Sequence, residues 1–244
     1  VCSSDLIPNG TNGCGSTVTT DQRGSSRPQN GSCDIGAYEA VAVAVGNGST
    51  CSFGSLQFAV SIADHISFNC PNSTITWDNG AVITPNHFVS LDGTGQNVTL
   101  SGANNRHFLV PVGGALSLNS LTMIFGNEPG GGGGAIHNSG TLIISNSTFS
   151  TNLTLNNGGA IRLSSGTADI TNSTFSRNDS AVEGGAIYQT GGTLTISNST
   201  FSANSSGTVG GAIRTFSGNA TISNSTFAGN GAASNGAIFG PISQ

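Results

Sequence analysis

The chain has 244 residues, 35% of them apolar, with 37 glycines, six arginines, no lysine and a formal net charge of −5. So few cations leave no basic face to neutralise a phosphate backbone, which argues against a nucleic-acid partner, and no apolar run approaches the roughly 18 residues of a membrane span. Bulky core material is scarce, so any core must be thin and elongated.

Five cysteines in a chain rich in Gly, Ser, Thr and Asn point to an oxidising compartment. Cys14 with Cys33, and Cys51 with Cys70, each enclose about 20 residues, and a disulfide closing such a loop contributes roughly 3 kcal/mol. Free, buried thiols fit the same spacing. Thirteen Asn-x-Ser/Thr triplets are acceptors for glycosylation in a eukaryotic secretory setting.

Val1 to Leu6 fits neither a signal peptide nor the polar segment after it. The stretch resembles translated adaptor read-through at the end of a metagenomic reading frame and is set aside, which leaves four cysteines. Residues 7–40 are polar and turn-rich, with Asp21-Gln22-Arg23-Gly24, Arg27-Pro28 and Cys33-Asp34-Ile35-Gly36-Ala37-Tyr38-Glu39 in succession. This resembles the closing segment of choice-of-anchor Q surface domains, and the resemblance implies the tail of a preceding β-helical domain. Residues 41–50 read as a small-residue linker.

Residues 51–60, Cys-Ser-Phe-Gly-Ser-Leu-Gln-Phe-Ala-Val, place apolar groups at helical spacing, with Ser55 as a candidate N-cap. The segment resembles the C-S-L-R-E-A opening of such β-helices, with Gln57 and Phe58 in place of Arg and Glu. A short helix there caps the first coil and covers its strand edges. From Ile66 to Leu100, short β-type runs alternate with Pro, Asn, Gly and Asp turns and read as irregular early coils. Residues 129–134 read as a flexible glycine loop, and no Lys comes after it to make it a phosphate cradle.

From 133 onward one sentence repeats. Gly-Gly-Ala-Ile stands at 133–136, 158–161, 184–187 and 210–213 and returns as Asn235-Gly236-Ala237-Ile238. Phe149, Phe175, Phe201 and Phe227 are 26 residues apart, each within Asn-Ser-Thr-Phe and each followed three residues later by Asn. A fixed period of this length is the mark of a solenoid whose coils bury their apolar faces on one another. Leu142 and Ile144, Ala168 and Ile170, Leu194 and Ile196, and Ala220 and Ile222 keep strand period within it. The Phe residues should form one internal stack, and Asn146, Asn172, Asn198 and Asn224 a stacked ladder at a corner, since Asn tolerates the left-handed bend.

The tandem Gly-Gly-Ala-Ile and Phe-x-x-Asn pairs resemble the repeats of polymorphic outer-membrane proteins, over about 113–239. The resemblance implies an all-β, right-handed, single-stranded parallel β-helix, a pectin-lyase-like solenoid. It places the chain outside the cell or on its outer surface, in adhesion or display, with no cofactor and with neighbouring domains of a longer chain. We expect about six or seven coils over 51–244. The chain stops just after a new coil begins, which reads as truncation.

The same architecture hosts polysaccharide lyases and glycoside hydrolases. Those sites need facing carboxylates or an acidic calcium cluster with a basic residue. The candidates are Asp169, isolated in its column, and Asp179 with Glu183 in a turn beside Arg177. His65, His87, His107 and His137 lack metal-ligand spacing, so no metal is expected. If the repeated Ile faces inward, His137, Arg162, Tyr188, Arg214 and Phe239 face outward, and such a stripe can stack on sugar rings and bond hydroxyls. That makes surface glycans, on a host or in the environment, the candidate partners. A column of Thr122, Thr148, Thr174, Thr200 and Thr226 also faces outward, as it does in ice-binding β-helices and on ordinary exposed strands.

Overall fold

The computed structural model of the chain describes residues 41–243 apart from 79, together with the strand backbones Leu6–Pro8 and Ser32–Asp34. The chain divides into two units after Val41. In the first, Leu6–Pro8 and Ser32–Asp34 pair antiparallel. The expectations for 1–6, for the anchor-type segment 21–39 and for a Cys14–Cys33 bridge otherwise lie outside the described residues.

In the second unit, strands separated by about one repeat pair in parallel and gather into sheets of eight, seven and six strands, with a further four-stranded sheet beside the later coils. The unit is a right-handed parallel β-helix. It has about 8 turns rather than six or seven. One reason is that Ala42–Val45, expected inside a linker, pairs in parallel with His65–Phe68 and buries Val45. The alternation of small and branched residues there is strand chemistry, not linker chemistry.

Phe53–Ile62 is the helix, and its N-cap is Ser52 rather than Ser55, whose backbone N–H donates to the Ser52 hydroxyl. Phe53, Leu56, Ala59 and Val60 are buried, with the Phe53 ring 5.0 Å from Trp77. A disulfide joins Cys51, just before the helix, to Cys70, with Cα atoms 5.7 Å apart.

One core column runs Ile75, Leu100, Met123, Phe149, Phe175, Phe201, Phe227 in strict register. The Phe rings stack nearly parallel with centroids 4.8–4.9 Å apart, one coil step.

The Asn residues divide their labour differently from the expectation. Asn146, Asn172, Asn198 and Asn224 do sit at left-handed corners, with φ of 50°, 49°, 51° and 47°. They are exposed, however, and no amide among the four bonds the next. The hydrogen-bonded ladder is Asn152, Asn178, Asn204 and Asn230, the Asn of Phe-x-x-Asn. From Asn178 onward each Oδ1 accepts from the backbone and side-chain amides of the Asn one coil before it, and each Nδ2 also donates to a core-strand carbonyl, as Asn178 does to Phe149. The Ser after each corner Asn makes a second ladder, the Ser173 hydroxyl accepting from Ser147 N–H and the Ser199 hydroxyl from Ser173 N–H.

The paired glycines of the repeat have separate reasons. Gly158 is left-handed, at φ 74°, whereas a Cβ on Gly159 would overlap the Gly185 carbonyl of the next coil.

Candidate functional site

Ile136–Asn138, Ile161–Leu163, Ile187–Gln189, Ile213–Thr215 and Ile238–Phe239 are successive strands of the six-stranded sheet. Their register aligns His137, Arg162, Tyr188, Arg214 and Phe239, one per coil, while Ile136, Ile161, Ile187 and Ile213 before the first four are fully buried and Ile238 is half-buried at the end of the column. The column is not a bare surface row. Tyr188 is only 8% exposed and the other four are half-buried.

The neighbouring turns account for that burial. The glycine loop, expected to be flexible, is pinned by two arginines: Arg162 Nη1 donates to Gly131 O at 2.7 Å, and Arg106 donates to Gly132 O and Gly133 O. Arg106 also pairs with Glu128 at 3.4 Å, and Arg214 with Glu183 at 3.4 Å. The Arg214 guanidinium lies 4.5 Å from the Phe239 ring centroid and 5.4 Å from that of Phe216, and Arg162 lies 6.0 Å from that of Tyr188. These are cation–π separations. His137 Nε2 is 2.8 Å from Ser164 Oγ.

Burial, followed by the Arg106 and Arg162 guanidiniums, holds His137 down at about 4, with Glu128 acting in the opposite direction. The face therefore keeps a neutral imidazole among fixed cations at neutral pH. Burial, reinforced by the nearby Glu183 carboxylate, raises the Tyr188 hydroxyl above its ordinary value, so it keeps its proton. The arrangement offers rings, guanidinium forks and one phenol to a ligand lying along the helix axis.

The structure separates the acids that the sequence grouped together. Asp169 is exposed on the eight-stranded sheet, aligned with Ser117, Ile143, Thr195 and Thr221. Asp179 is exposed on the four-stranded sheet, opposite Leu153 and Ser205. Glu183 leaves Arg177 aside and turns to Arg214 and Tyr188. Among the described residues, no three or more His, Cys, Asp or Glu side chains gather as a metal-ligand set.

Arg106 and Glu128 belong to this face and were missed. Phe108 pairs with Ile136, so Asn105-Arg106-His107-Phe108 occupies the place that Gly-Gly-Ala-Ile holds in later coils. Large side chains where the repeat demands glycine and alanine were the available signal.

His107, the alanine-equivalent residue, is fully buried with Nδ1 unpartnered and Nε2 3.0 Å from Leu100 O. Burial lowers it to about 4 from 6.5. Its folded value lies below its unfolded one, so its contribution is complete above pH 6.5 and is lost as pH falls toward 4, a loss on the order of 3 kcal/mol. Urea midpoints at pH 7 and pH 4.5 should diverge in the wild type and diverge clearly less in His107→Phe, where His137, also held down at about 4, keeps its own share of the acid sensitivity. An equal loss in both would assign the acid sensitivity to other groups.

No helix among the described residues is long and apolar enough to cross a membrane, which leaves β-barrels unaddressed. No curated protein and no solved structure matches the chain. A family model described as the right handed beta helix region matches residues 118–239, half of the chain and the stretch that carries the column from His137 to Phe239. With that match resting on the same coils whose strands pair in parallel register, the chain belongs to the right-handed β-helix family.

Proposed function

We propose that this β-helix is a non-catalytic module of a secreted or surface-displayed protein, and that it adheres to extended glycans along the column from His137 to Phe239. The observation that carries this reading is the register of His137, Arg162, Tyr188, Arg214 and Phe239, a row of rings and guanidinium donors repeated at coil spacing on one face. A stacked ring contributes on the order of 1 kcal/mol, so a linear chain touching several coils gains what a single sugar cannot. The Cys51–Cys70 disulfide supports an oxidising compartment. The likeness of the repeats to those of polymorphic outer-membrane proteins supports adhesion or display.

A glycan array, followed by titration of the hits, tests the proposal. Tyr188→Ala and Arg214→Ala should each weaken binding roughly five-fold or more, the equivalent of about 1 kcal/mol, with the fold checked by circular dichroism. Undiminished binding in both variants places the site elsewhere.

One observation favours the second reading, a polysaccharide lyase or glycoside hydrolase: Tyr188, Glu183 and Arg214 meet on the same face. Each acid there is held against a guanidinium, Glu128 by Arg106 and Glu183 by Arg214, which is the arrangement of a clamp. Incubation with acidic and neutral glycans, with and without calcium, should release no new reducing or unsaturated ends. Release abolished by Glu183→Gln would establish the enzyme.

A further inference from the structure

The three arginines of this face are not equivalent. Arg106 and Arg214 each have a carboxylate at 3.4 Å. Arg162, between them along the helix axis, has none among the described residues. Its one hydrogen bond runs from Nη1 to Gly131 O, its Nε is enclosed without an acceptor, and the remaining donors of the fork have no partner among the described residues. A planar guanidinium so placed is an incomplete bidentate site, since its geometry matches an oxyanion with two oxygens in one plane.

The surroundings agree with a missing anion. His137 and Tyr188 flank Arg162 on the adjacent coils of the column. The Tyr188 ring lies 6.0 Å from the guanidinium carbon, and Glu183 is held by Arg214 at 3.4 Å. The positive charges of Arg106 and Arg162 both act on His137, whereas Glu128 is the carboxylate that opposes them. Local positive charge therefore exceeds local negative charge at the centre of the column, although the chain as a whole carries −5. A cation left uncompensated in a partly dehydrated groove favours an anionic ligand over a neutral one of the same shape.

We infer that Arg162 is the seat for an anionic substituent, a carboxylate or a sulfate ester, of the glycan bound along the column, so that the module selects acidic polysaccharides. This rests on the glycan-binding reading and narrows it to a charge class. The neutral contacts to rings and hydroxyls hold the chain, and the Arg162 fork distinguishes an acidic sugar from its uncharged counterpart.

The test compares ligands that differ only in charge. Uronic-acid hexamers are titrated against their methyl esters, and sulfated galactan hexamers against their desulfated forms, by calorimetry on the full chain. In at least one pair the charged form should bind roughly ten-fold or more tightly, as a charge-assisted hydrogen bond supplies. Arg162→Gln should bring that ratio close to one. Arg162→Lys, which keeps the charge but loses the fork, should leave an intermediate ratio and covers the case in which the glutamine variant fails to fold. Tyr188→Ala should weaken both members of a pair and leave their ratio standing. A wild-type ratio near one in both pairs, with binding intact, overturns the anion seat and leaves the glycan groove in place. A ratio that persists in Arg162→Gln also overturns the seat. No binding of any of the four ligand types overturns the groove and the seat together.

Discussion

Asn178→Ala should cost about 3–5 kcal/mol of stability, as much as a large core truncation, because it removes a buried crossing point of the backbone and side-chain networks. Its Oδ1 accepts from both Asn152 N–H and Asn152 Nδ2, and its Nδ2 donates to Phe149 O and Asn204 Oδ1. Alanine removes the partner of each of those donors and acceptors in the middle of the solenoid, where Asn178 is fully buried. The corner residue of the same coil gives the contrast. Asn172 has φ 49° and is exposed, so Asn172→Ala should cost only about 1 kcal/mol of backbone strain, and Asn172→Gly close to nothing. Urea denaturation of the three variants side by side checks the ranking. Equal losses at 172 and 178 would return the ladder to the corner column.

The second large effect is in the Phe stack. Phe175 is fully buried between Phe149 at 4.9 Å and Phe201 at 4.8 Å, ring planes within 6° of parallel. Phe175→Ala should cost about 3–5 kcal/mol, the transfer term plus a cavity that two flanking rings fixed by their own coils cannot fill. Phe227→Ala, at the partly exposed end of the column, should cost less than half as much. A flat response along the column would contradict the stack. Because each coil contacts chiefly its neighbours, hydrogen exchange in Phe175→Ala should rise most in the adjoining coils and least near the helix.

The fold was legible because one pattern is written at a fixed period, and a solenoid turns such a period directly into register. Phe149 over Phe175 over Phe201 follows from spacing alone. Which asparagine bonds its neighbour does not. Strand alternation carries Ser147 and Phe149 inward, and would send Asn152 outward had the chain stayed extended. Thr151, Arg177 and Ala203 instead adopt φ of 54°, 53° and 53°, a second corner in each coil. That bend resets the alternation and turns the next residue, Asn, into the core. Nothing in the residue types at 151, 177 and 203 announces a left-handed conformation, so the sequence alone points to a ladder at the corner where Asn itself bends.

The site divides in the same way. The outward column was legible because it sits one residue after a repeated Ile. Its partners were not, since Arg106 precedes the regular repeats and Glu128 stands in the turn before the first Gly-Gly-Ala-Ile, and both meet the column only through side-chain reach. Sequence proximity draws Glu183 to Arg177, whereas its partner Arg214 lies 31 residues on, one coil beyond the next strand. In a coiled chain the nearest charge in space is about one period away, not six residues away.

The most direct test of the account is the dependence of affinity on ligand length. Glycans of one composition, from disaccharide upward, are titrated against the full chain and against Tyr188→Ala. If the column is the binding face, affinity rises with each added sugar until the ligand spans the four coil steps from His137 to Phe239, roughly 19 Å at strand spacing, then levels off, and Tyr188→Ala flattens the rise at its middle. Affinity that is already maximal for a disaccharide, or a length dependence unchanged in Tyr188→Ala, would contradict it.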